Sequence, residues 1–86
     1  QNMRKILGYR KFNSKKGTPV CLVAYQEDFS DYDKEHSEEL GGSKITSAMV
    51  FGDDGKVFNK DCIGKELQGF VGFSNGSTII QNPVIK

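Results

Sequence analysis

The apolar positions of this chain fall in short runs bounded by turn-forming residues, and each run is the length of a strand. Residues 3–12 mix apolar with basic side chains, offer Ile6, Tyr9 and Phe12 for packing, and lead into Asn13-Ser14-Lys15-Lys16-Gly17, a turn. Alternation places Tyr9 and Lys11 on one side of this strand if no bulge intervenes, and Arg10 with Phe12 on the other. On that reading Tyr9 is the exposed ring and Phe12 belongs to the core. The next run, within residues 18–27, is β-branched and aromatic, with Val20, Leu22 and Ala24 on one face and Cys21, Val23 and Tyr25 on the other.

Residues 28–42 are polar and acidic and end in Gly41-Gly42, which predicts a long, mobile surface loop with a short helical turn over residues 33–40. Strand character returns over residues 44–51, where Ile45, Ser47, Met49 and Phe51 alternate with Thr46, Ala48 and Val50, before the turn Asp53-Asp54-Gly55. Residues 56–62 form a connector whose Val57 and Phe58 are expected to plug the core. A glycine-interrupted strand is predicted over residues 63–73, since glycine inside a strand marks a bulge or a sharp bend. Ser74-Asn75-Gly76-Ser77 is a hairpin turn, because Asn-Gly supplies the positive φ angles of a type I′ turn. The last strand, residues 78–86, contains Pro83, which restricts where it can pair. Because a domain this small needs large side chains to bury enough area, Phe51, Phe58, Phe70 and Phe73 are expected to be mostly core.

Length sharpens this picture. The 86 residues allow one thin-cored domain, and ten glycines without a tryptophan favour turns over long helices. No apolar stretch approaches the roughly 18–20 residues that span a bilayer, so membrane insertion is not expected. Two cysteines, Cys21 and Cys62, are too few for a disulfide framework, and without a leader pattern they imply buried or simply unpaired thiols in a cytoplasmic protein. Because the regular pattern starts at Met3, Gln1-Asn2 is read as an appended remnant. The net charge is only +1, yet its distribution is uneven. Arg4, Lys5, Arg10, Lys11, Lys15 and Lys16 are the only charges before Glu27, after which Glu27, Asp28, Asp31, Asp33, Glu35, Glu38 and Glu39 follow with only Lys34 among them. A basic front and an acidic loop over residues 27–39 signal charged partners.

About five strands, with a long insertion after the second, a plug after the third and a closing hairpin, suit an all-β fold of the small OB-like Greek-key barrel type; the pattern alone suits an SH3-like barrel equally. Three segments carry a resemblance: Lys5-Ile6-Leu7-Gly8-Tyr9-Arg10-Lys11-Phe12; Ser14-Lys15-Lys16-Gly17-Thr18-Pro19; and Ile63-Gly64-Lys65-Glu66-Leu67. With them the chain resembles the small OB-fold single-stranded-DNA-binding proteins of phages and conjugative elements, similar in outline to the filamentous-phage gene V protein. The resemblance implies a sequence-tolerant DNA-binding protein of replication or mobile-element transfer, acting as a homodimer. It places nucleic-acid contacts on Tyr9, Lys11, Phe12, Lys15, Lys16 and Tyr25. Physical chemistry points the same way, since basic side chains neutralise phosphates and aromatic faces stack on unpaired bases. The acidic loop departs from that pattern, because it would repel a strand passing nearby.

Other chemistries fit less well. Asp31-Tyr32-Asp33-Lys34-Glu35 opens like a calcium loop, but His36 stands where an EF-hand needs glycine and Gly42 where it needs glutamate. Cys21, His36 and Cys62 lack the paired spacing of a zinc site. His36 has no nucleophile partner, and Gly69, Gly72 and Gly76 form no phosphate-cradling loop, so neither an enzyme nor a cofactor is expected. Asn75-Gly76-Ser77 matches a glycosylation sequon, which in a cytoplasmic protein is only a turn. The competing reading is a β-barrel adaptor whose acidic loop, residues 27–39, docks a basic protein partner.

Overall fold

A computed structural model describes residues 3–86; Gln1-Asn2, read above as a remnant, lie outside the described residues. The chain is all-β, with one five-stranded sheet built from β1 (Lys5–Asn13), β2 (Pro19–Glu27), β3 (Lys44–Phe51), β4 (Leu67–Ser74) and β5 (Ser77–Ile85). The spatial order is β1-β2-β3-β5-β4; neighbours run antiparallel except β3 and β5, which run parallel at Met49 and Ile79. The sheet is not closed. Its two edge strands touch at one corner, where Lys5 bridges Glu66, the Ile6 amide donates to the Lys65 carbonyl at 2.9 Å, and the Leu67 amide donates to the Arg4 carbonyl at 2.8 Å.

One side of this curled sheet holds the core: Ile6, Cys21, Val23, Tyr25, Ala48, Val50, Phe58, Cys62, Leu67 and Ile80, with Tyr9 and Ile85 packed against it. Cys21, Val23 and Tyr25 therefore face inward from β2, and Ala48 and Val50 from β3, as the period-2 alternation requires. Both cysteines are unpaired and buried. Burial pushes the Cys21 thiol above its ordinary pKa, with nearby Lys11 opposing the shift. The plug is Phe58, fully buried after a 3-10 turn over Gly52–Val57, whereas Val57 is 39% exposed and takes no part in it.

Several elements differ from the sequence reading. The only α-helix among the described residues is α1 (Asp31–His36), shorter and earlier than the turn predicted over residues 33–40. Its start is fixed by Ser30, whose side chain accepts from the Asp33 amide at 3.2 Å. The fourth strand begins at Leu67 rather than residue 63, because Gly64 adopts φ +85° and the preceding residues turn instead of extending. The expectation of a mostly core phenylalanine set also fails. Phe58 is buried, but Phe51, Phe70 and Phe73 are exposed, the last two at 70% and 79%. A curled single sheet has only one packed side, so rings that alternation sends outward or places beyond the core stay in water.

Candidate nucleic-acid interface

The face of β1, β2 and β3 turned away from the core is built from cross-strand rows. Phe12, Val20 and Phe51 form one row, and Arg10, Leu22 and Met49 the next, which Ile79 extends onto β5. Directly opposed side chains on such rows have Cβ atoms about 4.5–5.5 Å apart. Val20 is buried yet lies outside the core cluster, because the half-exposed rings of Phe12 and Phe51 flank it on both sides. The result is an apolar surface strip with an aromatic ring at each margin. Arg10 completes it: its guanidinium carbon lies 4.6 Å from the centroid of the Phe12 ring.

The turn after β1 brings cations to the end of this strip. The Gly17 amide donates to the Ser14 carbonyl at 2.9 Å, and the Thr18 amide donates to the Ser14 hydroxyl at 3.1 Å. Gly17 accepts φ +86°, a left-handed value that favours glycine. Lys15 and Lys16 are thus held at the two central turn positions, both exposed. At this end of β1 and β2 a cleft of about 290 Å³ is lined from both sides of the sheet, by Phe12 and Val20 and by Lys11 and Cys21, with Lys56 at its wall. Lys56 there pairs with Asp53 at 3.4 Å, on a fully wetted surface where such a pair contributes little.

The sequence-predicted residues separate into three groups. Phe12, Lys15 and Lys16 come together at this end of the outer face. Tyr9 and Lys11 do share a side, but it is the core side: Tyr9 packs half-buried against the core, with the Lys11 ammonium 5.8 Å from its ring centroid. Tyr25 is 2% exposed, so its ring is unavailable for stacking, and burial raises its phenol pKa. The expected positions of Tyr9 and Phe12, one on the outer face and one on the core face, are therefore exchanged. The cause is a bulge: Ile6 pairs with Tyr25 and Gly8 with Ala24, leaving Leu7 as an extra residue. With Ile6 anchored in the core, the insertion moves Tyr9 to the core face and Phe12 outward.

Sequence reasoning missed Arg10 and Phe51. Both stood on legible faces, Arg10 beside Phe12 and Phe51 with Met49, but nothing in β3 alone showed which face was packed.

The acidic segment lies at the far end of β2 from the lysine turn. Nine residues of strand span about 27 Å at ~3.4 Å per residue, several times the ~8 Å screening length of physiological salt. Part of its charge is also answered locally, by Lys34 to Asp28 at 3.2 Å and Lys44 to Asp33 at 4.0 Å, while the Thr46 hydroxyl donates to Glu27 at 2.7 Å. The repulsion that the sequence suggested therefore falls away from the strip.

No protein family, no curated protein and no solved structure matches the chain.

Proposed function

We propose that this chain binds single-stranded nucleic acid across the outer face of β1, β2 and β3, with little dependence on base sequence. One observation carries the reading: two half-exposed phenylalanines, Phe12 and Phe51, bracket Val20 on an open sheet face beside Arg10 and the Lys15-Lys16 turn. Unpaired bases present flat apolar faces that such rings can stack on, at about 1–3 kcal/mol each, and every base has such a face. The adjacent cations match the phosphates of the same strand. Arg10 is fitted to this pairing because its guanidinium already lies over Phe12 and can extend the stacking surface.

The topology supports an OB-type Greek-key assignment. The order β1-β2-β3-β5-β4, the parallel β3–β5 pair and the Lys5–Glu66 bridge that returns β4 to β1 are what a partly open five-stranded barrel of that type requires. In such a barrel the outer face of the second and third strands is a ligand face, and here it bears Val20, Leu22, Met49 and Phe51.

A polarisation titration with a labelled oligo-dT strand at increasing salt tests the proposal. Binding should weaken with a log-log slope of about −0.7 for each phosphate neutralised, or about −2 for Arg10, Lys15 and Lys16 together. An absence of binding at low salt overturns it and transfers attention to the acidic segment as a docking site for a basic protein.

A further inference from the structure

The two edges of the sheet are protected very differently. β1 carries Arg10 and Lys11 along its free edge, the usual device against edge-to-edge association. β4, the opposite edge, has no charge, and none occurs anywhere in residues 67–85, although 27% of the whole chain is charged. On this uncharged hairpin Phe70 is 70% exposed and Phe73 79%, with Val71 and Val84 also in solvent. Beyond Leu67 the outward main-chain groups of β4 have no strand beside them among the described residues. An open apolar edge of this kind is a template for another strand.

The strand's own sequence identifies that other strand. Phe70-Val71-Gly72 is complementary to itself when reversed, a ring meeting a gap on each side of Val71, whereas Gly69, crowded by Gln81 and Ile80 at the β4 bulge, offers no such gap. Antiparallel pairing about a two-fold axis perpendicular to the sheet at Val71 sets Val71 against Val71 and Phe70 against Gly72 of the second copy. Each Phe70 ring then lies across from a glycine, the arrangement in which an aromatic side chain covers main chain that a missing side chain leaves bare. Space is available for it, since a Cβ built on Gly72 meets nothing within 4 Å. Without charges on the strand, no like charges face each other across the axis. A protein with an unrelated edge would lack this alternation of ring and gap.

We infer that β4 pairs with β4 of a second copy of this chain, joining two sheets through residues 70–72 with the two-fold axis at Val71. The inference stands independently of nucleic-acid binding, because the strip on β1, β2 and β3 lies away from this edge.

Sedimentation equilibrium of the full chain should give twice the mass of one chain. Phe70→Lys, at a ring exposed in the single chain, should sediment as a monomer while keeping its β-sheet circular dichroism. At the axis a residue faces its own copy with Cα atoms about 4.5–5.5 Å apart, within the ~4.4–6.8 Å of a disulfide. Val71→Cys treated with diamide, which takes up the two thiol hydrogens, should therefore form a covalent dimer, and Val84→Cys, on the interior strand β5, should not. A monomer at every concentration up to the millimolar range overturns the inference. So does a dimer that Phe70→Lys leaves intact and Val71→Cys fails to lock.

Discussion

Arg10 and Phe12, two residues apart on β1, form a stacked pair with the guanidinium carbon 4.6 Å from the ring centroid, on the side of the sheet that the core does not use. A cation held over a half-exposed ring adds little to stability, since both groups keep much of their contact with water. On the proposed reading, it preorganises a flat surface with a positive charge in place for a base and its phosphate. Phe12→Ala is therefore expected to weaken oligonucleotide binding by about 1–3 kcal/mol with only a small change in melting temperature. Polarisation and thermal denaturation of the same preparation check both parts.

Tyr9→Ala should behave in the opposite way. Its ring packs against the core cluster from the inner face, so truncation is expected to cost about 2 kcal/mol of stability, below the ~3–5 typical of a fully buried aromatic. Folded protein should still bind oligonucleotide like the parent. Urea denaturation paired with a binding titration below the transition separates the two effects.

Lys15→Ala with Lys16→Ala should leave the fold intact and lower the salt slope by roughly one to two phosphate equivalents, because both side chains project from the centre of a turn fixed by Ser14 and Gly17. An unchanged slope on protein with a normal melting curve would remove this turn from the site.

Gly69 is required where it stands. It adopts φ +150°, and an added Cβ would come within 3.0 Å of the Gln81 carbonyl oxygen and 3.1 Å of Ile80. Gly69→Ala is expected to destabilise the domain by about 1–3 kcal/mol, measured by denaturant unfolding, through strain and overpacking at the β4 bulge. Gly72→Ala, in open space within one chain, should cost far less.

The Lys34 ammonium beside Asp28 holds that carboxyl below its ordinary pKa, aided by the Phe29 amide that donates to it. A carboxyl depressed in the folded state contributes above its unfolded pKa and ceases to contribute as pH falls through the folded value. Asp28 should accordingly titrate at lower pH than a free aspartate by carbon-detected NMR, and Lys34→Ala should return it towards the ordinary range.

Much of the fold was legible where local chemistry and packing agree. β2 and β3 follow from their alternation. The Asn75-Gly76 turn follows from its residue types, and both residues do adopt positive φ, 51° and 80°. The site was legible only in part, for a physical reason: one extra residue at Leu7 reverses every later side chain of β1, and its one compositional mark, the adjoining Gly8 inside the strand, does not say whether a bulge or a plain strand results. Lys15 and Lys16 escaped that reversal because a turn projects its side chains whatever the strand register. Phe51, Phe70 and Phe73 were misjudged because ring size argues for burial, whereas the face that a single sheet buries is chosen by tertiary packing.

The central claim is most directly tested by titrating isotopically labelled protein with oligo-dT and following its amide resonances. Binding across the outer face should shift Arg10, Phe12, Lys15, Lys16, Leu22, Met49 and Phe51 together and leave residues 28–39 unmoved. Shifts confined to residues 28–39 or to the inner face around Tyr25, or no shifts at a molar excess of oligonucleotide in low salt, would contradict it.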